Sequence, residues 1–446
     1  MNRFELVIVG GGLASARAIR EYRAAGGSGS IALLSREQSL PYHRPPLSKR
    51  YLRGEVDLDG TLVEPQAFYE ANGVELLLGT EVAAIDPSER AVRTADGLYG
   101  YGKLLLATGA QPRTLDVPGA HLPGVFSLRS VEDSTAIREA AAEARDAVVV
   151  GSGFIGMEVA ASLTELGLDV SLLSRDVELF ASLRSPEISD HLVALYRRRG
   201  VEVIRGDEVR AFHGGERLDT VELRSGRKLG AGLAVIGVGV QPGVSFLAGS
   251  GISTDDGILV DEKFETNVPG VFAVGDVARF FDPVFGRSRR IEHWSNASYQ
   301  GAEAGKVLAG AGGGYDTVST FFTESFGLPL KVFGDTSRHD ERVARGSFSA
   351  GDAIVFYLER GRLAGTLHTG QDEVTEEALK ELISTHASPR KLELLADETV
   401  PLEEVFAAGG GATARLGRRQ RPPAAARRGT ARRRPARSAR RRESRR

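Results

Sequence analysis

Twice along the chain a short apolar run stops at a group of glycines and gives way to a stretch whose small and apolar residues recur every three or four positions. The first is FELVIVGGGLASARAIREY, with the run at 6–9, the glycines at 10–12, and Ala14, Ala18 and Ile19 at helical spacing. The second is DAVVVGSGFIGME at 146–158. A continuous apolar run bounded by turn residues predicts a buried strand, and the change to a 3.6-residue period predicts a helix. Further apolar runs at 31–34 and 170–173 follow, so each unit reads as a βαβ module.

Other segments predict elements in the same way. YGKLLLATGA at 101–110 is a buried strand ending in small residues, where the chain must pass close to something. TNVPGVFAVGDVARF predicts a strand at 271–274, with Gly275 and Asp276 at the start of a helix. An aspartate there accepts from a polyol hydroxyl or simply caps the helix. LKVFGD and AIVFYLERGRLAGTLH predict strands and TEEALKELIST a helix, which together make a small third domain. In LPYHRPPLSKRYLRGE, Pro45 and Pro46 predict an extended elbow before a helix start at 47–49, because each proline fixes its own φ and the second disfavours the helical region for the first. Arg44 and Lys49 are then positioned cations.

Glycines between strand and helix allow a tight turn and let backbone N–H groups approach a pyrophosphate at the helix N-terminus. The second unit has the full pattern Gly151, Gly153, Gly156, whereas the first has Gly10 and Gly12 but Ser15 in third place. One such match is weak, since a ligand-free glycine turn looks the same. Two matches on one chain predict two bound nucleotides.

Composition narrows the chemistry. With 446 residues, two or three domains are expected, and 41% hydrophobic with 26% charged residues is ordinary for a globular protein. No apolar run is long enough for a membrane span, and the first strand carries Glu5 without a cleavage site, so a cytoplasmic protein is expected. There is no cysteine. That excludes disulfides, a thiolate metal site, an iron–sulfur cluster held by this chain, and a redox-active disulfide or sulfenate; no metal site is expected. From Gly409 onward there are fifteen arginines and one glutamate, a net of +14, so the overall −2 leaves −16 on residues 1–408. This tail has few large apolar residues and is expected to be disordered. Its readings are a contact for nucleic acid or acidic proteins, a solvated appendage, or a terminus read out of frame.

PYHRPPLSK, ATGA, GSGFIGME, FAVGD and IEHW occur in this order. On these motifs, from about residue 3 to 408, the chain resembles the FAD-dependent pyridine-nucleotide oxidoreductases, in the branch of ferredoxin reductases that serve cytochrome P450 and Rieske-type oxygenases. The resemblance implies an α/β fold with two Rossmann-like dinucleotide-binding domains and a small α+β C-terminal domain. The FAD domain would be split over 1–112 and 246–317, with the NAD(P) domain at 113–245, the C-terminal domain at 318–408 and the tail at 409–446. In relatives the third domain covers the flavin and contributes to dimerisation or docking, so a homodimer is one expectation.

The resemblance also implies roles. Gly10, Gly12 and Ala14 would meet the FAD pyrophosphate, Val82 the adenine, Thr108 and Gly109 the crossing strand, Arg44 and Arg129 the cofactor, and Asp276 the ribityl chain. His293 and Trp294 would lie beside the isoalloxazine. Lys49 would stand at the reactive flavin edge, where a fixed cation favours negative charge on the reduced ring, paired with Glu158. Gly151, Gly153, Ile155, Gly156, Ser174, Arg175 and Gly237 would bind NAD(P). The chain departs from the family in two places. Where relatives have an acid for the adenosine ribose, Arg36 stands and Glu37 follows: either Glu37 substitutes or the adenosine end is held less tightly. Where relatives often have Trp-Ser-Asp near the flavin, this chain has Phe322, Thr323 and Glu324.

The implied reaction is hydride transfer from a nicotinamide to flavin, then single-electron transfers to an external carrier. Relatives that use an internal disulfide or sulfenate are excluded by the missing cysteines. The carrier would be a ferredoxin, [2Fe–2S] or related, docked on cations such as Arg287, Arg289 and Arg290. The alternatives are an NAD(P)H oxidase, a quinone or dye reductase, or a redox-sensing binding protein like apoptosis-inducing factor. Ser174 and Arg175 suit a 2′-phosphate, whereas Asp176 and Glu178 suit NADH; NADPH is favoured.

Purified protein is expected to be yellow with one non-covalent FAD per chain, since no cysteine is present for thioether attachment. Acid precipitation should give a colourless pellet and a yellow supernatant; flavin retained in the pellet would refute this.

Overall fold

The structure is a computed structural model that describes residues 2–406, so the arginine-rich tail expected to be disordered lies outside the described residues. The Asn2–Val9 strand is the centre of the first sheet, pairing in parallel with Ile31–Leu34 on one side and Gly97–Leu106 on the other. Leu6, Val7, Ile8 and Val9 are all buried. A parallel strand covered on both faces reads as a continuous apolar run, and this is what the sequence displays. The Gly97–Leu106 strand changes partner along its length. Its first half pairs antiparallel with Ala91–Thr94, and its last three residues pair in parallel with Val271–Ala273. A segment far along the chain therefore completes the first sheet.

The second sheet is wholly parallel, in the order Glu202–Arg205, Asp169–Ser174, Asp146–Val150, Leu233–Ile236, Val125–Ser127. The chain crosses between the two units twice, and the crossings, Ala110–Pro112 and Val240–Pro242, pair antiparallel. The third part is a five-stranded antiparallel sheet from Thr320–Ser325 to Arg362–Thr369, with the Glu373–Ser384 helix packed on it. Together these are the α/β class expected, with two Rossmann-like units and a C-terminal domain. Among the described residues no helix is long and apolar enough to cross a membrane.

Two packing features position the site. The Leu13–Ala24 and Trp294–Leu308 helices cross in close contact. A Cβ on Gly301 would lie 2.3 Å from the Ala14 carbonyl oxygen, and one on Gly305 2.5 Å from that of Ala18. Only glycine permits that approach, which carries the start of the second helix, His293 and Trp294, to the start of the first. The Phe154–Glu165 helix is buried from Gly156 to Leu163, because the sheet, the proline elbow and the Thr320–Ser325 strand all pack on it.

Two local expectations are corrected. The elbow is not extended: Pro45–Ser48 is a 3₁₀ turn, with Arg44 already in the right-handed helical region. Proline is at home in a first turn, where its missing N–H has no acceptor to serve. Nor does Asp276 begin a helix. Gly275–Val277 is a single 3₁₀ turn that runs into the Ala278–Asp282 strand, which is held by pairing on both sides.

Candidate active site

The glycines build two matching cradles. Gly10 (φ +115°) and Gly151 (φ +111°) have backbone that L side chains rarely adopt, and a Cβ there would lie 2.3 Å from the Ala107 carbonyl oxygen and 2.2 Å from that of Gly237. The next fingerprint glycines, Gly12 and Gly153, are the helix N-caps, and nothing stands within 4 Å of where their Cβ would be. Neither helix start is capped by a side chain. First-turn N–H groups and the helix dipole are thus left to face an anion across space that only a Cβ would fill. In third place, Gly156 sits against the Gly151 carbonyl at 2.0 Å from a would-be Cβ. Ser15 replaces that glycine in the first unit, fully buried, with its hydroxyl donating to the Gly10 carbonyl. The departure from the fingerprint is thereby satisfied locally, and the residues present fit two pyrophosphates.

Both cradles open on one cleft of about 1050 Å³. It is lined by Gly10, Gly12, Ala14, Arg36, Glu37, Arg44, Lys49, Val82, Thr108, Gly109, Arg129, Asp276, His293 and Trp294, and on the other side by Gly153, Ile155, Glu158 and Gly237. Gly151, Gly156, Ser174 and Arg175 do not line it. The first two shape the turn from behind. The last two stand at the end of the Asp169–Ser174 strand, with the Ser174 hydroxyl donating to the Asp176 carbonyl and also bonded to Ser152.

A charged network crosses the cleft wall. Arg44 pairs with Glu37 at 2.6 Å and donates to the Arg129 carbonyl at 2.6 Å, while Arg129 pairs with Asp276 at 3.1 Å. Burial opposes the Glu37 charge, but Arg44 and the Tyr42 hydroxyl overcome it and hold the carboxyl below its ordinary value. Burial and the nearby Arg44 pull the Arg129 guanidinium down. An anionic ligand in the cleft would relieve that cost. Glu37 is thus engaged by Arg44 and Tyr42, and Arg36 points outward, 3.9 Å from Glu81.

The Lys49 ammonium lies 2.8 Å from Glu158. Glu158 also accepts from the Ser48 and Thr323 hydroxyls. These hydroxyl partners were not foreseen. Ser48 was visible beside Lys49 in the elbow, but nothing local in the sequence ties Thr323 to a residue 165 positions away.

An aromatic wall closes the cleft. Phe321 packs at a tilt against Phe154, with ring centroids 4.0 Å apart, and against His293 at 4.3 Å, and Trp294 donates from Nε1 to His43 Nδ1 at 2.9 Å. Burial pushes the His293 imidazole down to about 4, so it is neutral at physiological pH. Trp294 also lies near Phe322, a large apolar side chain that is 46% exposed.

Each of the three arginines expected to dock a carrier is already paired with carboxylates. Arg289 pairs with Asp282 at 2.9 Å, and Arg287 pairs with Glu359 at 3.0 Å and with Asp335. Arg290 pairs with Asp256 and Glu292. Burial alone would raise Asp335, but Arg289, Ser337 and Arg287 hold its carboxyl at about 2. With side-chain exposures of 18%, 13% and 9% for Arg287, Arg289 and Arg290, these cations are mostly withdrawn from solvent along the cleft wall, and Arg287 and Arg289 tie the C-terminal sheet to the first unit through Asp335 and Glu359.

Comparison with known proteins adds independent findings. Residues 4–301 match the family model described as pyridine nucleotide-disulphide oxidoreductase, and residues 320–406 match the one described as reductase C-terminal. The chain is 35% identical to the 5,5′-dehydrodivanillate O-demethylase ferredoxin reductase subunit of Sphingobium sp., over 92% of this chain and 100% of that protein. It is 33% identical to putidaredoxin reductase of Pseudomonas putida, over 90% of this chain and 97% of the other. Among solved structures, the covalent putidaredoxin reductase–putidaredoxin complex superposes with a TM-score of 0.85 at 32% identity, covering 91% of this chain and 98% of that one.

Arg289→Glu places a third carboxylate between Asp282 and Asp335, and breaking a buried pair in this way costs about 3–5 kcal/mol. The melting temperature and the flavin content should fall together. Loss of ferredoxin reduction alone, with stability and ferricyanide reduction unchanged, would return these cations to a docking role.

Proposed function

Because the chain belongs to the pyridine nucleotide-disulphide oxidoreductase family and carries its reductase C-terminal domain, we propose that it passes electrons from NAD(P)H through FAD to a ferredoxin that serves a cytochrome P450 or Rieske-type oxygenase. The observation that carries this reading is one cleft joining two glycine cradles in a chain without cysteine. Two nucleotides meet there, and no internal thiol can take the electrons onward. Bound flavin supplies the needed chemistry, accepting two electrons together and releasing them singly.

The residues divide the remaining work. Gly12 and Ala14 at one helix start, with Arg44, Arg129 and Asp276 along the wall, would hold FAD; Gly153 and Ile155 at the other helix start would hold the nicotinamide coenzyme. Phe154, His293 and Phe321 pack the junction and exclude water, which strengthens every charge interaction inside it. Lys49 supplies a fixed cation held by Glu158. Hydride transfer needs alignment and no proton donor, so a neutral His293 suits the site. A ferredoxin is the acceptor that the relatives' names support.

Of the two coenzymes, NADPH is favoured through Arg175. Its side chain is 73% exposed, and its one ion-pair partner among the described residues is Asp176 at 3.8 Å, a loose contact that a 2′-phosphate could replace. Ser174 is less suited than its position suggests, because its hydroxyl is spent on the Asp176 carbonyl.

Cytochrome c reduction by the holoprotein, with NADH or NADPH and with or without a panel of ferredoxins, tests the main reading. At least one [2Fe–2S] ferredoxin should accelerate it strongly; coenzyme oxidation that no ferredoxin speeds, but a quinone or oxygen does, would overturn it. For the coenzyme, kcat/KM should favour NADPH in the wild type, and Arg175→Ala should lower the NADPH value about tenfold, the equivalent of one charge-assisted contact, while sparing NADH. A wild-type preference for NADH, unchanged in the mutant, would sink the idea.

A further inference from the structure

One carboxylate ties together all three parts of the chain at the edge of the cleft. Glu158 comes from the helix of the second unit, Ser48 and Lys49 from the elbow of the first, and Thr323 from the opening strand of the C-terminal sheet. Glu158 Oε1 meets the Lys49 ammonium at 2.8 Å and accepts from the Thr323 hydroxyl at 2.7 Å, while Oε2 accepts from Ser48. Glu158 is 7% exposed and Thr323 2%, so bulk water does not stand in for either hydroxyl. Thr323 does not line the cleft and reaches it only through Glu158.

The arrangement has an electrostatic consequence. A buried carboxylate that already accepts two hydroxyl hydrogen bonds has part of its charge satisfied, and it draws less on a third partner. Lys49, already at ordinary contact distance from Glu158, then keeps more of its field directed into the cleft. We propose that Thr323 is a positioning residue for Lys49: by donating to Glu158, the C-terminal domain sets where that ammonium stands and how strongly its charge is felt at the reacting edge. This rests on the placement of Lys49 beside the bound flavin, and gives the C-terminal domain an electrostatic role in addition to covering the site.

The test compares holoproteins carrying Thr323→Val, Thr323→Ser, Ser48→Ala and Lys49→Met. The readouts are the midpoint potential of the bound flavin, its rate of reduction by NADPH in stopped flow, and the melting temperature. Thr323→Val keeps the shape and removes the hydroxyl, so the potential should become more negative and the rate fall about fivefold, the equivalent of one hydrogen bond. Thr323→Ser should restore both to within about twofold of wild type on the same scale. Wild-type potential and rate in Thr323→Val, with or without a lower melting temperature, overturn the proposal. If Thr323→Val does not fold, Ser48→Ala decides from the other oxygen: a shift in the same direction supports the proposal, and an unchanged potential overturns it. Lys49→Met separates the two layers. If it leaves potential and rate unchanged, the placement of Lys49 fails and this inference with it; if it shifts both while Thr323→Val is silent, only the role of Thr323 fails.

Discussion

Backbone must meet backbone at the two strand-to-helix turns, and much of the molecule is arranged so that it can. A Cβ on Gly10 or Gly151 would overlap a carbonyl of the adjacent strand, and one on Gly12 or Gly153 would occupy the space in front of the helix N-terminus. The same constraint recurs where the Leu13–Ala24 and Trp294–Leu308 helices cross, since Gly301 and Gly305 let the second helix lie on the carbonyls of Ala14 and Ala18. Without that approach His293 and Trp294 would not stand over the first cradle. Close packing and nucleotide binding thus share one requirement, the absence of side chains at a few positions.

Buried charge is handled in two ways at two places. Around Asp335 and Glu359, arginines of the first unit are matched to carboxylates across the seam with the C-terminal sheet, Asp282 holding Arg289 from its own hairpin, and the result is a clamp. Around Glu158 the pairing is deliberately shared, with one ammonium and two hydroxyls on a single carboxylate. The first arrangement neutralises its cations. The second spreads one carboxylate over three donors, so that the Lys49 field can act on a ligand in the cleft, which Arg287, Arg289 and Arg290 line as well. Which outcome a given arginine or lysine meets depends on its partners in space, and sequence position relative to a motif does not reveal it.

That difference explains where sequence reasoning succeeded and where it failed. Strand-to-helix turns are local, so a four-residue apolar run ending in glycines was enough to locate both units, and the switch of period located both helices. The C-terminal strands and the Glu373–Ser384 helix were legible for the same reason. The elbow was misjudged because the rule that a proline disfavours helical backbone before it is a bias, and here the Pro45–Ser48 turn packs against the Phe154–Glu165 helix strongly enough to override it. Arg287, Arg289 and Arg290 were read as docking cations because an acidic body needs local basic groups to attract an acidic carrier; Asp282 and Glu292 stand close by in sequence, but their other partners, at 256, 335 and 359, come from distant segments.

The sequence by itself determined what depends on neighbours within one turn or one strand: two Rossmann-like units, the glycine cradles, and a chemistry without internal thiols. Only the tertiary structure decided what depends on groups brought together from far along the chain. It closed the first sheet with Val271–Ala273, engaged Glu37 with Arg44, paired the basic strand with carboxylates of the C-terminal sheet and joined Thr323 to Glu158. The physical reason is range. Backbone geometry and hydrophobic periodicity are set within a few residues, whereas a buried charge takes its character from whichever donors and acceptors the fold places around it.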